Sequence, residues 1–127
     1  MTNPKEAKDY QWKELFSLAT KFCHFHDGHK FASGASPVWE RKFLEKMAET
    51  AETSANWFWV ATAAEPFSPH WKNALQQLLN RARDATNSIY HWNRVLEIAP
   101  EGHSFEAEAI LNIRSIRTEK RNKKKEQ

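Results

Sequence analysis

Two Ser-Pro steps, Ser36-Pro37 and Ser68-Pro69, constrain this chain more than any other feature. Serine followed by proline is a helix start. The hydroxyl accepts from free N–H groups of the first turn, and proline supplies a helical φ where its missing N–H costs nothing. After each step the apolar residues recur at intervals of three and four, the period of an α-helix, and no run alternates as a strand would. Only 3 glycines and 5 prolines interrupt 127 residues. The expectation is an all-α protein, a compact bundle of about four antiparallel helices with a disordered basic C-terminal tail.

The first helix is expected from Pro4 to about Cys23, with Asn3 as N-cap and Glu6 completing a capping-box-like pair. Its apolar stripe is Trp12, Leu15, Phe16, Ala19, Phe22 and Cys23, and residues 26–36, with Gly28 and Gly34, read as a loop. The second helix opens at Pro37 and buries Phe43, Leu44, Met47, Ala48, Ala51, Ala55, Phe58 and Trp59. The third opens at Pro69 and buries Trp71, Ala74, Leu75, Leu78, Ala82, Ala85, Ile89, Trp92 and Leu96 before Pro100 stops it. Ser104 caps the fourth, whose positions Phe105, Ala109, Ile110, Ile113 and Ile116 fade into a lysine-rich end. One domain over residues 1–117 and a basic tail over 118–127 follow from this pattern.

The chain carries +3 at neutral pH, and the location of that charge matters more than its size. Residues 1–110 hold 12 Lys/Arg against 14 Asp/Glu, whereas residues 111–127 hold 7 against 2. Attraction to phosphates must therefore begin at the C-terminal end. A single cysteine, Cys23, excludes an internal disulfide framework and fits a reducing, cytoplasmic compartment. The N-terminus continues polar rather than into a secretory apolar run, and the most apolar stretch, Ala55–Ala64, is about half of a membrane span. No membrane partner is expected.

The principal functional signal is a stripe on the third helix: Asn73, Gln76, Asn80, Arg83, Asn87, Tyr90 and Arg94, spaced alternately by three and four. A solvated face ordinarily mixes glutamate with lysine, but this one carries amides, arginines and a tyrosine without a carboxylate. That set suits phosphate oxygens and exposed bases. The cluster Arg114, Arg117 and Arg121, sharing a helical face and followed by Lys123–Lys125, adds a sequence-independent arm. The bland reading of both is a solvated seam and a solubilising tail.

Trp57-Phe58-Trp59-Val60 cannot all face one core from one helix. With Phe58 and Trp59 assigned inward, Trp57 and Val60 are expected to protrude, as are Leu18 and Phe25 on the first segment, giving an exposed patch for a protein partner, further copies of the chain or stacked bases, the bland reading being that another surface such as the 26–36 loop covers them. Cys23, His26 and His29 have ligand-type spacing but lack the paired C-x-x-C of zinc ribbons, and Cys23 already has a core place, so no metal and no cofactor is expected. His26-Asp27-Gly28-His29-Lys30 resembles the H-D-x-G-K motif of HD-domain phosphohydrolases. The glycine stands one place early and the upstream histidine of that family is missing, so the resemblance implies no metal phosphohydrolase here. Trp39-Glu40-Arg41-Lys42-Phe43-Leu44 followed by Phe67-Ser68-Pro69 is similar to helix pairs in small DNA-processing proteins of phages and mobile elements.

No nucleophile motif, phosphate-cradling glycine loop or catalytic carboxylate pair is present. The expected function is a non-enzymatic nucleic-acid-binding subunit of a larger nucleoprotein complex, using Asn80, Arg83, Asn87, Tyr90, Arg94, Arg114, Arg117 and Arg121, with no small-molecule substrate. Small all-helical subunits lining the nucleic-acid groove of CRISPR effector complexes offer a fold-level analogy. The alternative is a protein-interaction module, an inhibitor or adaptor that works through the Trp57 patch without nucleic acid.

Overall fold

The computed structural model describes residues 3–85 and 88–126, with residues 4 and 123–126 through the backbone only. Among them the chain forms seven α-helices, not about four, after a short 3-10 turn at Pro4–Glu6. These are α1 (Asp9–Leu18), α2 (Phe22–Ala32), α3 (Pro37–Thr50), α4 (Ser54–Ala63), α5 (Pro69–Asp84), α6 (Ile89–Ile98) and α7 (Ser104–Glu126). The first expected helix is interrupted after Glu6 and again at residues 19–21, the second and third are each broken once, and the expected tail continues the last helix as far as Glu126.

The break at residues 19–21 has a packing cause. On a straight helix Phe16 and Phe25 would stand about 13 Å apart along the axis. With the turn, their ring centroids come to 6.0 Å, and Phe16 also meets Trp39 at 5.7 Å and Phe43 at 5.3 Å. The Thr20 N–H freed by the turn donates to His24 Nδ1 at 3.1 Å. The segment expected as a loop from His26 therefore remains helical to Ala32. Asn3 caps only the 3-10 turn, by accepting from the Lys5 N–H, and α1 starts later, where Gln11 Oε1 accepts from the Lys8 N–H.

The break at residues 51–53 is closed by side chains on both sides. Thr53 Oγ1 accepts from the Asn56 N–H, and Asn56 Oδ1 accepts from the Thr53 and Glu52 N–H groups, a reciprocal cap that starts α4 afresh. Arg81 of α5 donates to the Glu52 carbonyl. The third expected helix breaks after Ala85, whose N–H still reaches the Arg81 carbonyl at 2.9 Å. Both Ser-Pro starts stand as expected, with Ser36 and Ser68 hydroxyls accepting from the Trp39 and Trp71 N–H groups. Phe67, just before the second of them, takes φ 69°, uncommon for a bulky residue, and its ring packs against Trp71.

Successive helices pack on one another, α2 with α3, α4 with α5 and α6 with α7 most extensively, around one continuous core. Gly28 sits inside α2 directly beneath Phe43 of α3. A Cβ there would fall well inside van der Waals contact with the ring, so the missing side chain sets how closely the two helices approach. Leu79 and Val95, absent from the expected core, are fully buried. Cys23, expected within it, is exposed. No described helix is long and apolar enough to cross a membrane.

Candidate nucleic-acid interface

Breaking the third expected helix after Ala85 divides its polar stripe. Asn73, Gln76, Asn80 and Arg83 lie on α5, and Tyr90 and Arg94 on α6; Asn87 lies outside the described residues. Gln76 and Asn80 are hydrogen-bonded to each other at 2.9 Å on the solvent side of α5. Arg83 is not a free cation. Its Nε and Nη2 donate to both carboxylate oxygens of Glu108 on α7, at 2.9 and 2.8 Å, a planar fork-to-fork pair that raises the guanidinium pKa. The pair closes one side of a cleft of about 460 Å³ that also includes Asn112, Ser115 and Glu119. Two carboxylates beside one arginine make this cleft a poor host for a phosphate.

Helix α7 resolves the C-terminal cluster. Ala109, Ile113 and Ile116 are buried, and residues 117–122 are all exposed, so the helix outgrows the body that supports it. At 1.5 Å per residue, the turns beyond Ile116 extend about 15 Å. Because successive residues advance by about 100°, Arg114, Arg117 and Arg121 lie along one flank of the buried stripe. Asn112, Ser115 and Glu119 occupy the opposite flank, beside Arg83. The structure therefore brings the three α7 arginines together but keeps Arg83 apart from them.

Arg94 has a different environment. Its guanidinium stands 5.0 Å over the Phe58 ring of α4 and 4.4 Å over the Tyr90 ring, and it donates to the Tyr90 hydroxyl. No carboxylate pairs with it among the described residues, and its buried Nε has no hydrogen-bond partner. Tyr90 itself is 56% exposed.

The expected protein-interaction patch is largely internal. Trp57 is 8% exposed, Val60 0% and Phe25 6%, and only Leu18, at 70%, stands outside. The expectation failed because it extended the register of α3 through Thr53. Helix α4 instead begins anew, and its inward face is Ser54, Trp57, Val60, Ala61 and Ala64, which turns Trp59 outward at 42% exposure. Leu18 rims a groove of about 530 Å³ between α1 and α2 that includes Leu15, Ala19, His24, Asp27 and Phe31. Trp59 is the residue that sequence reasoning missed. The Thr53-x-x-Asn56 cap was its available signal.

Cys23, His26 and His29 do not converge, and no group of three His, Cys, Asp or Glu side chains is gathered for a metal among the described residues. His26 instead packs on Trp59 at 4.9 Å. His29 is buried between α2 and α3 with Nε2 at 3.8 Å from Glu40 Oε1, too long for a hydrogen bond. Burial lowers the pKa of both histidines, with Lys30 adding to the effect at His26 and Glu40 partly opposing it at His29. No protein-family model, curated protein or solved structure matches the chain.

Proposed function

We propose that the protein is a non-enzymatic nucleic-acid-binding helical protein, an accessory subunit of a nucleoprotein assembly, and that α7 is its primary contact element. The observation that carries this reading is the charge of the helix beyond its packed half. Residues 114–125 contain seven Lys/Arg and one acid, on a helix exposed from Arg117 to Asn122. A row of cations raised from an otherwise slightly acidic body attracts phosphate while the body discourages non-specific wrapping. Arg114, Arg117 and Arg121 make the first part of the row, and Lys123–Lys125 extend it along the sequence. Arg83, held by Glu108, is not counted among the phosphate-binding groups. The assembly surface retains only Leu18 from its expected residues.

The test is affinity for DNA and RNA as a function of salt. Replacing Arg114, Arg117 and Arg121 by glutamine should lower the slope of log affinity against log salt by roughly 0.7 to 0.9 for each arginine that neutralises a phosphate. Circular dichroism should be unchanged, since all three side chains are exposed. Absence of salt-dependent binding to either polymer at low ionic strength would defeat the reading.

A further inference from the structure

Six side chains from three helices form a continuous row on the surface. Phe22 lies 6.0 Å from His26 on α2, and His26 lies 4.9 Å from Trp59 on α4. Trp59 lies 5.6 Å from Phe58, Arg94 of α6 stands 5.0 Å over Phe58, and Tyr90 closes the row 4.4 Å beneath the same guanidinium. Both ends of the α4–α6 segment are open to solvent, through Trp59 at 42% and Tyr90 at 56%. The contacts within each helix are between adjacent residues or residues one turn apart, and His26 against Trp59 and Arg94 over Phe58 are what join the three helices, so helical periodicity alone does not account for the row.

We infer that this row is a stacking platform for unpaired bases, and that the polymer it takes is single-stranded nucleic acid. The inference rests on the nucleic-acid reading above and specifies its substrate class. Aromatic faces accept any base by stacking, but a duplex hides those faces within its own stack. The cation in the row decides between a strand and an apolar protein partner. Arg94 has no carboxylate partner among the described residues, and Nε is already without a hydrogen bond. A protein surface that covered it with apolar groups would bury an uncompensated charge, which is strongly unfavourable. A strand brings a phosphate alongside each base, and the planar guanidinium, fixed by two rings and the Tyr90 hydroxyl, is prepared to pair with one. The neighbouring charges are mixed: Lys30 follows His26 by one turn, Asp27 is adjacent to it, and Glu97 follows Arg94 by three residues without pairing to it. Repulsion of a phosphate is therefore not dominant along the row.

Trp59 provides its own reporter. The other five tryptophans, Trp12, Trp39, Trp57, Trp71 and Trp92, are each 8% exposed or less. A stacked base should quench mainly the Trp59 emission. The experiment titrates the full chain with a short oligothymidylate, its oligouridylate counterpart and a duplex of equal length, reading anisotropy of the labelled polymer and tryptophan emission together. The expected result is tighter binding of the single strands than of the duplex, with quenching that Trp59→Phe removes while keeping most of the affinity, because a ring remains. Tyr90→Ala and Trp59→Ala should each weaken single-strand binding by about 5- to 100-fold and leave duplex binding unchanged. Arg94→Lys, which keeps the charge but loses the planar fork, should also weaken the single strands. Tyr90→Ala keeps the test valid if Trp59→Ala fails to fold, because Tyr90 is mostly in solvent.

Oligonucleotide binding in which the ring variants match the parent, or in which quenching survives Trp59→Phe, overturns the platform and leaves the α7 reading standing. Loss of affinity in the ring variants but not in the α7 glutamine variant does the reverse. No binding of any polymer overturns both.

Discussion

The α2–α3 seam and the α6–α7 seam are built from the same materials and differ in how far the partners match. Helices α2 and α3 have similar lengths, 11 and 14 residues, and Gly28 lets them close on Phe43 with no space for a methyl group. Helix α6 has 10 residues and α7 has 23, and α7 runs on past its last buried residue, Ile116. The first seam turns its facing side chains inward, even His29, which is buried there without a hydrogen bond at Nε2. The second leaves arginines and lysines beyond the last buried isoleucine. Where partners match, facing side chains are buried, and where one outgrows the other its side chains are left in solvent.

The largest effect that should separate the seams is on stability. Phe43→Ala empties a site with no solvent exposure and should cost about 3 to 5 kcal/mol in denaturant unfolding. Gly28→Ala should cost about 1 to 3 kcal/mol by overpacking, since the ring that the new methyl meets cannot retreat into solvent. In the Phe43→Ala background the clash is gone, and Gly28→Ala should reverse sign and stabilise by up to about 1 kcal/mol, the helix propensity of alanine over glycine. A cost that persists in that background would show that the close approach to Phe43 is not what selects glycine.

Acid should distinguish the seams next. His29 has a folded-state pKa lowered from 6.5, so the unfolded chain takes up its proton first as pH falls. Stability should then be flat above about pH 7 and decline as pH drops through the ordinary histidine range, by less than about 1.4 kcal/mol per pH unit for this group. The decline should stop once pH is below the folded value, where both states carry the proton. His26 shifts in the same direction, so His29→Gln should reduce the decline without abolishing it. Stability that rose on acidification to about pH 5.5 would contradict the burial argument.

The smallest expected effect belongs to the Arg83–Glu108 pair. Glu108→Gln removes the carboxylate charge and leaves Arg83 available at the cleft, so nucleic-acid affinity at low salt should rise slightly and the salt slope should steepen by at most about 0.9. The pair is bidentate but exposed, so its effect on stability should be minor. A gain as large as the drop in the α7 glutamine variant would place Arg83 within the main binding face.

Much of the fold was legible because it depends on local chemistry. Ser36-Pro37 and Ser68-Pro69 start helices by their own hydrogen bonds, Pro100 and Gly102 end α6, and Ala109, Ile113 and Ile116 lie at the spacing that buries them. The stops inside the first three segments carried weaker signals. Residues 19–21 contain neither glycine nor proline, and the turn there is selected by contacts of Phe16 with rings as distant in sequence as Phe43.

The all-helical class, the helix starts and the concentration of cations at the C-terminal end each follow from neighbours along the chain and are readable without the fold. Tertiary structure alone decided which of Trp57 and Trp59 faces outward, which of Arg83 and Arg94 has a carboxylate partner, and that Phe22, His26, Trp59, Phe58, Arg94 and Tyr90 form one row. The physical reason is the same in each case. A helix break of a few residues resets the rotation of everything after it, so the facing and partners of a side chain depend on where distant helices come to rest.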